Sequence, residues 1–202
     1  MNYFIVGLVC YLCGSIPFSY LLPKLKRVDV RNVGSGNVGG TNALRAAGPV
    51  IGVMSMIFDA LKSFVPILII SRIFHQNLYY IGIATISVVL GHDFPIFLKF
   101  KGGKGVASTT GAFFALVPIS GFVFLTSWLS IILWTKYVSL GSIVGMYAAA
   151  FIAYFFNKDF AVLFLLLATL STLRHADNIE RLINHSERKT DLIAIFKKRR
   201  TS

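Results

Sequence analysis

Long apolar runs decide what this chain can be. Mostly apolar segments fall at about 3–22, 50–71, 78–98, 106–117, 119–134, 137–156 and 160–174. Several reach or approach the roughly 20 residues a helix needs to cross a bilayer. Charged residues make up only 14% of the chain, against about a quarter in a soluble domain. These features predict an all-α, polytopic membrane protein, with one domain over residues 1–202 and no soluble module. The N-terminal "MNYFIVGLVCYLCGSIPF" has no basic segment ahead of its apolar run, so it reads as a retained span and not a cleaved signal. Cys10 and Cys13 form a C-x-x-C inside that run. Without a βαβ context they read as small packing residues.

Charge sets the expected topology. The chain carries 20 Lys and Arg against 8 Asp and Glu, a net charge of +12. In a membrane protein such an excess collects in cytoplasmic loops and on anionic lipid heads, so nucleic acid is not an expected partner. The segment from 106 to 134 reads as one over-long helix or as two short ones broken at Pro118. One helix would put the eight cations from Arg174 onward outside the cell. A break at Pro118 returns Lys136 and the C-terminal tail to the cytoplasm and leaves only Arg72 and Lys158 outside. The expectation is therefore about seven spans, some short, with the N-terminus outside, the C-terminus cytoplasmic and a basic cytoplasmic tail over 188–202. "KKRR", Lys197 to Arg200, has no site role in this reading. Three polar segments then share one membrane face: 31–45, 99–105 and 174–187.

The first segment, "RNVGSGNVGGTNALR", contains a literal G-x-G-x-x-G from Gly34 to Gly39. It is no dinucleotide fingerprint, which needs a preceding strand and a βαβ unit. Close-set glycines still permit positive φ and let backbone N–H groups converge on an anion. Ser35, Asn37, Thr41 and Asn42 add neutral donors, Thr41 or Asn42 would cap a helix through "ALRAAG", and Arg45 follows a turn later. The competing reading is a flexible basic loop; glycine, hydroxyl, amide and arginine together favour the anion site.

The second segment, "GHDFPIFLKFKGGKGVAS", places Lys101-Gly-Gly-Lys104-Gly ahead of a helix from Val106. The Walker A spacing is missing, yet a glycine turn with a lysine at a helix N-terminus suits phosphate. Positive-inside bias accounts for Lys99 and Lys101 but not for Gly102, Gly103 and Gly105 around Lys104. His92 and Asp93 lie within a span, where ionisable groups are functional candidates. Asp93 either orients His92 or neutralises a cation. Asp59 and Lys62, three apart on a helix, read as a supporting pair.

The third segment, "LRHADNIERLINHSE", repeats His175, Asn178 and Arg181 at helical spacing. A continued helix would put His175 and Asn178 on one face, with Ile179, Leu182 and Ile183 on lipid. No catalytic triad, metal-ligand cluster or D-x-D motif accompanies them. The acyltransferase pattern H-x-x-x-x-D is also absent: Phe97 stands five after His92 and Glu180 five after His175.

Taken in order, the three blocks resemble those of the bacterial acyl-phosphate-dependent glycerol-3-phosphate acyltransferases (the PlsY type). The third has the form R-H-x-x-N-I-x-R-L, and "YLCGSIPFSYLL" and "DALKSFVP" extend the likeness over nearly the whole chain. One departure is His185, where the family usually has glycine before x-Glu; another is the basic extension from Arg188. The resemblance implies transfer of a fatty acyl group from acyl phosphate to the 1-hydroxyl of glycerol 3-phosphate, giving lysophosphatidic acid and phosphate, in the first acylation of phospholipid biosynthesis. It implies no cofactor and no metal. As catalytic residues it implies Ser35, Lys104, His175 and Asn178; as substrate-binding residues, Arg45, Gly34, Gly36, Asn37, Thr41, Asn42, His92, Gly102, Gly103 and Gly105. The implied partners are membrane lipid and the enzyme that makes acyl phosphate, at the bacterial inner membrane with the active site facing the cytoplasm. Whether His175 or the donor's own phosphate takes the proton stays open. A transporter for an organic phosphate and a non-catalytic membrane scaffold are the competing functions. The two halves show no internal repeat of the kind transporters carry, and His92, Asp93 and two glycine-rich loops do not suit a scaffold.

Overall fold

A computed structural model describes residues 2–197; the last five residues of the expected basic tail lie outside them. Eleven α-helices and two 3₁₀ turns make up the described residues, with no strand among them. They are α1 (Tyr3–Ser15), α2 (Phe18–Leu25), α3 (Gly40–Ala47), α4 (Pro49–Ile73), α5 (Leu78–Asp93), α6 (Val106–Leu116), α7 (Pro118–Thr135), α8 (Val138–Ala153), α9 (Lys158–Arg174), α10 (Ala176–Ile183) and α11 (Leu192–Lys197). The 3₁₀ turns are Val30–Asn32 and Ile96–Leu98.

Each of the seven expected apolar segments is helical. Four stretches are alone long and apolar enough to span a membrane: Tyr3–Leu25, Pro49–Ile73, Leu78–Leu98 and Pro118–Thr135. α9 and α10, bent by 64° at their junction, make a fifth if taken as one span, and α6 and α8 are apolar but shorter. The break expected at Pro118 is present: Val117 caps α6 and Pro118 opens α7. A second break, not expected, splits the first segment. Ile16 is extended (φ −65°, ψ 114°) because the ring of Pro17 excludes the helical conformation from the residue before it. Asn2, Asn77 and Asn157 open α1, α5 and α9, each side-chain oxygen accepting an amide of the first turn, as good N-caps do.

The chain folds as two compact units dividing after Pro118. In the first, α1 packs on α5, and α4 on α3 and α6. The α1–α5 contact requires its glycines: a Cβ on Gly14 would stand 2.0 Å from the Val88 carbonyl oxygen, and one on Gly91 2.2 Å from that of Tyr11. In lipid, where hydrophobicity does not drive helices together, such small residues let backbones approach. In the second unit α8 packs on α9, around the fully buried Phe164 and Met146.

Candidate active-site loops and their supports

The first unit contains two of the three polar segments. Residues 31–39 form a loop closed by one side chain. Asn42, 2% exposed, accepts the Ser35 amide on Oδ1 at 3.0 Å. Its Nδ2 donates to the carbonyls of Val30 (2.7 Å), Val33 (3.0 Å) and Asn37 (3.1 Å). Gly34 and Gly36 take left-handed φ of 64° and 71°, and a Cβ on Gly34 would meet Asn42 Oδ1 at 2.3 Å. The glycines therefore serve the turn, as expected.

Four of the loop's amides are bonded within it rather than pointed outward. Ser35 N–H goes to Asn42, Gly36 N–H to the Val33 carbonyl, Asn37 N–H to Ser35 Oγ (3.4 Å) and Gly39 N–H to the Asn37 carbonyl. They are spent inside the loop. Thr41 and Asn42 do not cap α3: its N-cap is Gly39, without a side-chain bond, and both residues fall in the first turn. Asn42 faces inward because four backbone groups hold it. Ser35 is exposed, along with the rest of residues 31–36, while Arg45 lies in the last turn of α3. The other arginine, Arg31, is committed elsewhere. It pairs with Asp29 at 2.6 Å and lies over the ring of Tyr20. Hydrogen bonds from Arg31 hold the Asp29 carboxyl down to about 2.

The second loop rests on the end of α5. Gly103 N–H donates to the His92 carbonyl at 3.0 Å. A Cβ on Gly103 would lie 2.1 Å from His92 Nε2, and one on Gly102 2.3 Å from the His92 oxygen. These two glycines thus answer a close approach to His92. Gly105 alone has positive φ, 76°, and is the N-cap of α6. Both Asp93 oxygens lie within 3.4 Å of its built Cβ position, so a carboxylate already stands near a helix end that favours negative charge. Lys104 is half-buried between Gly103 and Gly105.

The two loops are neighbours. Leu98 packs against the buried cluster Tyr20, Val30, Val38 and Ala43 beneath the first loop. A small recess is lined by Pro17, Val38, Asp59, Lys62, His92, Pro95 and Gly102. Within it Asp59 Oδ2 accepts Ser19 Oγ at 2.5 Å and Oδ1 pairs with Lys62 Nζ at 2.8 Å. Lys62 also donates to the Ile16 carbonyl at 2.6 Å, at the break between α1 and α2, where that oxygen also accepts the Phe18 amide at 3.2 Å.

The third segment belongs to the second unit. His175 is 5% exposed and joins α9 to α10 at the 64° bend, so the helix does not run on as expected. Its Nδ1 lies 2.7 Å from the Ser171 carbonyl oxygen. A carbonyl can only accept, so Nδ1 carries the proton. Asn178 donates its backbone N–H to the His175 carbonyl (2.8 Å) and its Nδ2 to Glu187 Oε1 (2.7 Å). Glu187 also accepts from Ser139 (2.9 Å) and pairs with Arg181 through Oε2 (2.8 Å). Burial pushes the Glu187 carboxyl up, but these hydrogen bonds and the Arg181 charge outweigh it and hold it below its ordinary value. Glu187 was not among the expected site residues; its signal in the sequence is its place as the Glu of the family's Gly-x-Glu pattern, where His185 stands for the glycine.

His185, the departure from the family's glycine, has φ 51°. Its amide bonds to the Leu182 carbonyl, and that of Ser186 to the Arg181 carbonyl. This is the paired 5→2 and 6→1 ending of a helix, whose left-handed residue is usually glycine.

Known proteins match most of this chain. The sequence model of the family described as Glycerol-3-phosphate acyltransferase matches residues 4–185. A relative so named from Pseudothermotoga lettingae is 70% identical, covering 98% of this chain and 100% of its own. Another from Thermotoga petrophila is 53% identical, covering 95% and 98%. A crystal structure of PlsY, an integral membrane glycerol 3-phosphate acyltransferase, in its glycerol 3-phosphate form, superposes with a TM-score of 0.89 at 37% identity, covering 96% and 98%. Its lysophosphatidic acid form gives 0.87 at 35%, with the same coverage.

Proposed function

The chain belongs to the glycerol-3-phosphate acyltransferase family, and on that premise we propose that it transfers a fatty acyl group from acyl phosphate to the 1-hydroxyl of glycerol 3-phosphate. The hydroxyl oxygen bonds to the acyl carbon, the bond from that carbon to the phosphate oxygen breaks, and lysophosphatidic acid and phosphate leave. Acyl phosphate is a mixed anhydride with a good leaving group. The enzyme therefore needs orientation and charge stabilisation and no covalent nucleophile.

The observation that supports this reading is the exposed Ser35, held on a loop in which its own amide and those of Gly36, Asn37 and Gly39 are bonded inward. A loop built so presents the Ser35 hydroxyl. Ser35 and Arg45 then bind the glycerol 3-phosphate, with Thr41 in the first turn of α3 and Gly34, Gly36, Asn37 and Asn42 shaping the loop. Lys104 bridges the two phosphates, and the turn of Gly102, Gly103 and Gly105 receives the donor phosphate. The Nδ1–H of His175 is held by the Ser171 carbonyl, which fixes the orientation of the ring; we assign His175 and Asn178 to the substrate on the family's pattern. We assign His175 mainly to positioning, with the proton passing to the departing phosphate. His92 contributes from beneath the second loop. The acyl chain lies in lipid between helices, and the enzyme that makes acyl phosphate is the natural partner. The tendency of cationic loops to stay inside supports a site facing the cytoplasm at a bacterial inner membrane, and we read the whole chain as one acyltransferase domain.

The test is purified protein in detergent with glycerol 3-phosphate and palmitoyl phosphate. Phosphate release dependent on both substrates, abolished in Lys104→Ala, is expected. No release, with glycerol 3-phosphate uptake in proteoliposomes, would establish a transporter instead.

A further inference from the structure

We infer that Asp59, Lys62 and His92 form one positioning unit that sets the Lys101–Gly105 loop, and with it Lys104, for reaction. The inference rests on the proposed function, in which Lys104 meets the reacting phosphates.

The unit draws on two spans and is sealed from water: Asp59, Lys62 and His92 are 1%, 8% and 6% exposed. Ionisable groups at such depth are costly and are seldom kept for packing alone. Their contacts run in one direction. Lys62 holds Asp59 Oδ1 at 2.8 Å, and His92 Nδ1 lies 3.7 Å from that same oxygen. The far edge of the same ring fills the space against Gly103, and the His92 carbonyl takes the Gly103 amide. The ring thus stands between a charged pair on α4 and the residue immediately before Lys104. Turning it would break its approach to Asp59 on one side and displace Gly103 on the other. Ser19, bonded to the second Asp59 oxygen, fixes the carboxylate from α2. Lys62 has a second task, capping the Ile16 carbonyl. That task alone would explain an ion pair but not a histidine ring wedged between the pair and a glycine.

The test uses the full chain in the two-substrate assay with thermal unfolding measured in parallel. His92→Ala and the paired change Asp59→Asn/Lys62→Met are expected to lower kcat at least roughly tenfold. The loss in kcat should exceed any rise in the KM for glycerol 3-phosphate, because Ser35 and Arg45 are untouched. His92→Asn, which keeps a nitrogen near the Nδ1 position, should recover part of the loss. A double-mutant cycle gives the second arm. Gly103→Ala alone should cost roughly a hundredfold, and His92→Ala/Gly103→Ala should be more active than Gly103→Ala, since the ring that the new methyl strikes is gone. This arm alters neither charge of the pair and decides the matter if the paired variant does not fold. Activity that falls only in proportion to folded protein, or additive losses at 92 and 103, would overturn the inference. A wild-type protein without two-substrate phosphate release would overturn the proposed function itself, and this inference with it.

Discussion

The carboxamide of Asn42 holds Ser35 in place: Oδ1 accepts the Ser35 amide at 3.0 Å while Nδ2 gathers three carbonyls of the same loop. Ser35 therefore owes its position to a residue seven places further along, at the start of a different element.

Asn42→Ala should raise the KM for glycerol 3-phosphate roughly tenfold or more, because each lost bond is worth about 1 kcal/mol and the groups left behind are partly buried. Asn42→Asp should be at least as harmful. It keeps the acceptor for Ser35 but turns an anionic oxygen on three carbonyls. Steady-state kinetics of both variants provide the check; an active Asn42→Asp would contradict the assigned orientation of the amide.

Glu187 gives a pH dependence with a definite sign. Its folded pKa lies below the ordinary value of 4.5, so its stabilisation is complete above that value and is lost as pH falls through the lowered one. Wild type should melt higher than Glu187→Gln near neutrality, and the gap should close on acidification below about 4.5. Melting curves of the two proteins between pH 7 and pH 3.5 read this directly.

His185→Gly should stabilise the protein by about 1 kcal/mol, since a non-glycine residue in the left-handed region carries a steric cost of that order. The side chain is exposed, so kcat should stay within about twofold. The thermal midpoint should rise; an unchanged or lowered midpoint would show that His185 makes a compensating contact.

Gly91→Ala should cost about 3 kcal/mol, the upper range for overpacking. The added methyl would stand 2.2 Å from the Tyr11 oxygen, and backbone cannot yield as a side-chain tip can. The expected result is little monodisperse protein on gel filtration and a lowered melting point in what remains.

Elements that depend on hydropathy or on charge balance were legible in the sequence. The seven apolar segments, and the break at Pro118 inferred from charge balance, are examples. Gly34 and Gly36 were legible too, since their role is the backbone turn itself. Contacts between residues far apart in sequence were not. That Gly102 and Gly103 also make room for His92 is not visible from their spacing. Asn42 looks like a ligand until its four backbone partners are counted, and Glu187 looks like an ordinary polar residue until Asn178, Arg181 and Ser139 converge on it. The break at Pro17 was missed because the residues on both sides are equally apolar.

The 11 residues of α6 rise about 16 Å, near half the thickness of a bilayer's hydrocarbon. Such a rod cannot touch both faces of an undeformed membrane. Either lipid thins around it or water descends to meet it, and in both cases the oil–water boundary is drawn toward the chain at that point. A reactant dissolved in the aqueous phase and one dissolved in lipid then meet without either leaving its own solvent. For the proposed reaction, the shortness of this one helix would bring a water-borne acceptor and a lipid-borne donor to the same depth.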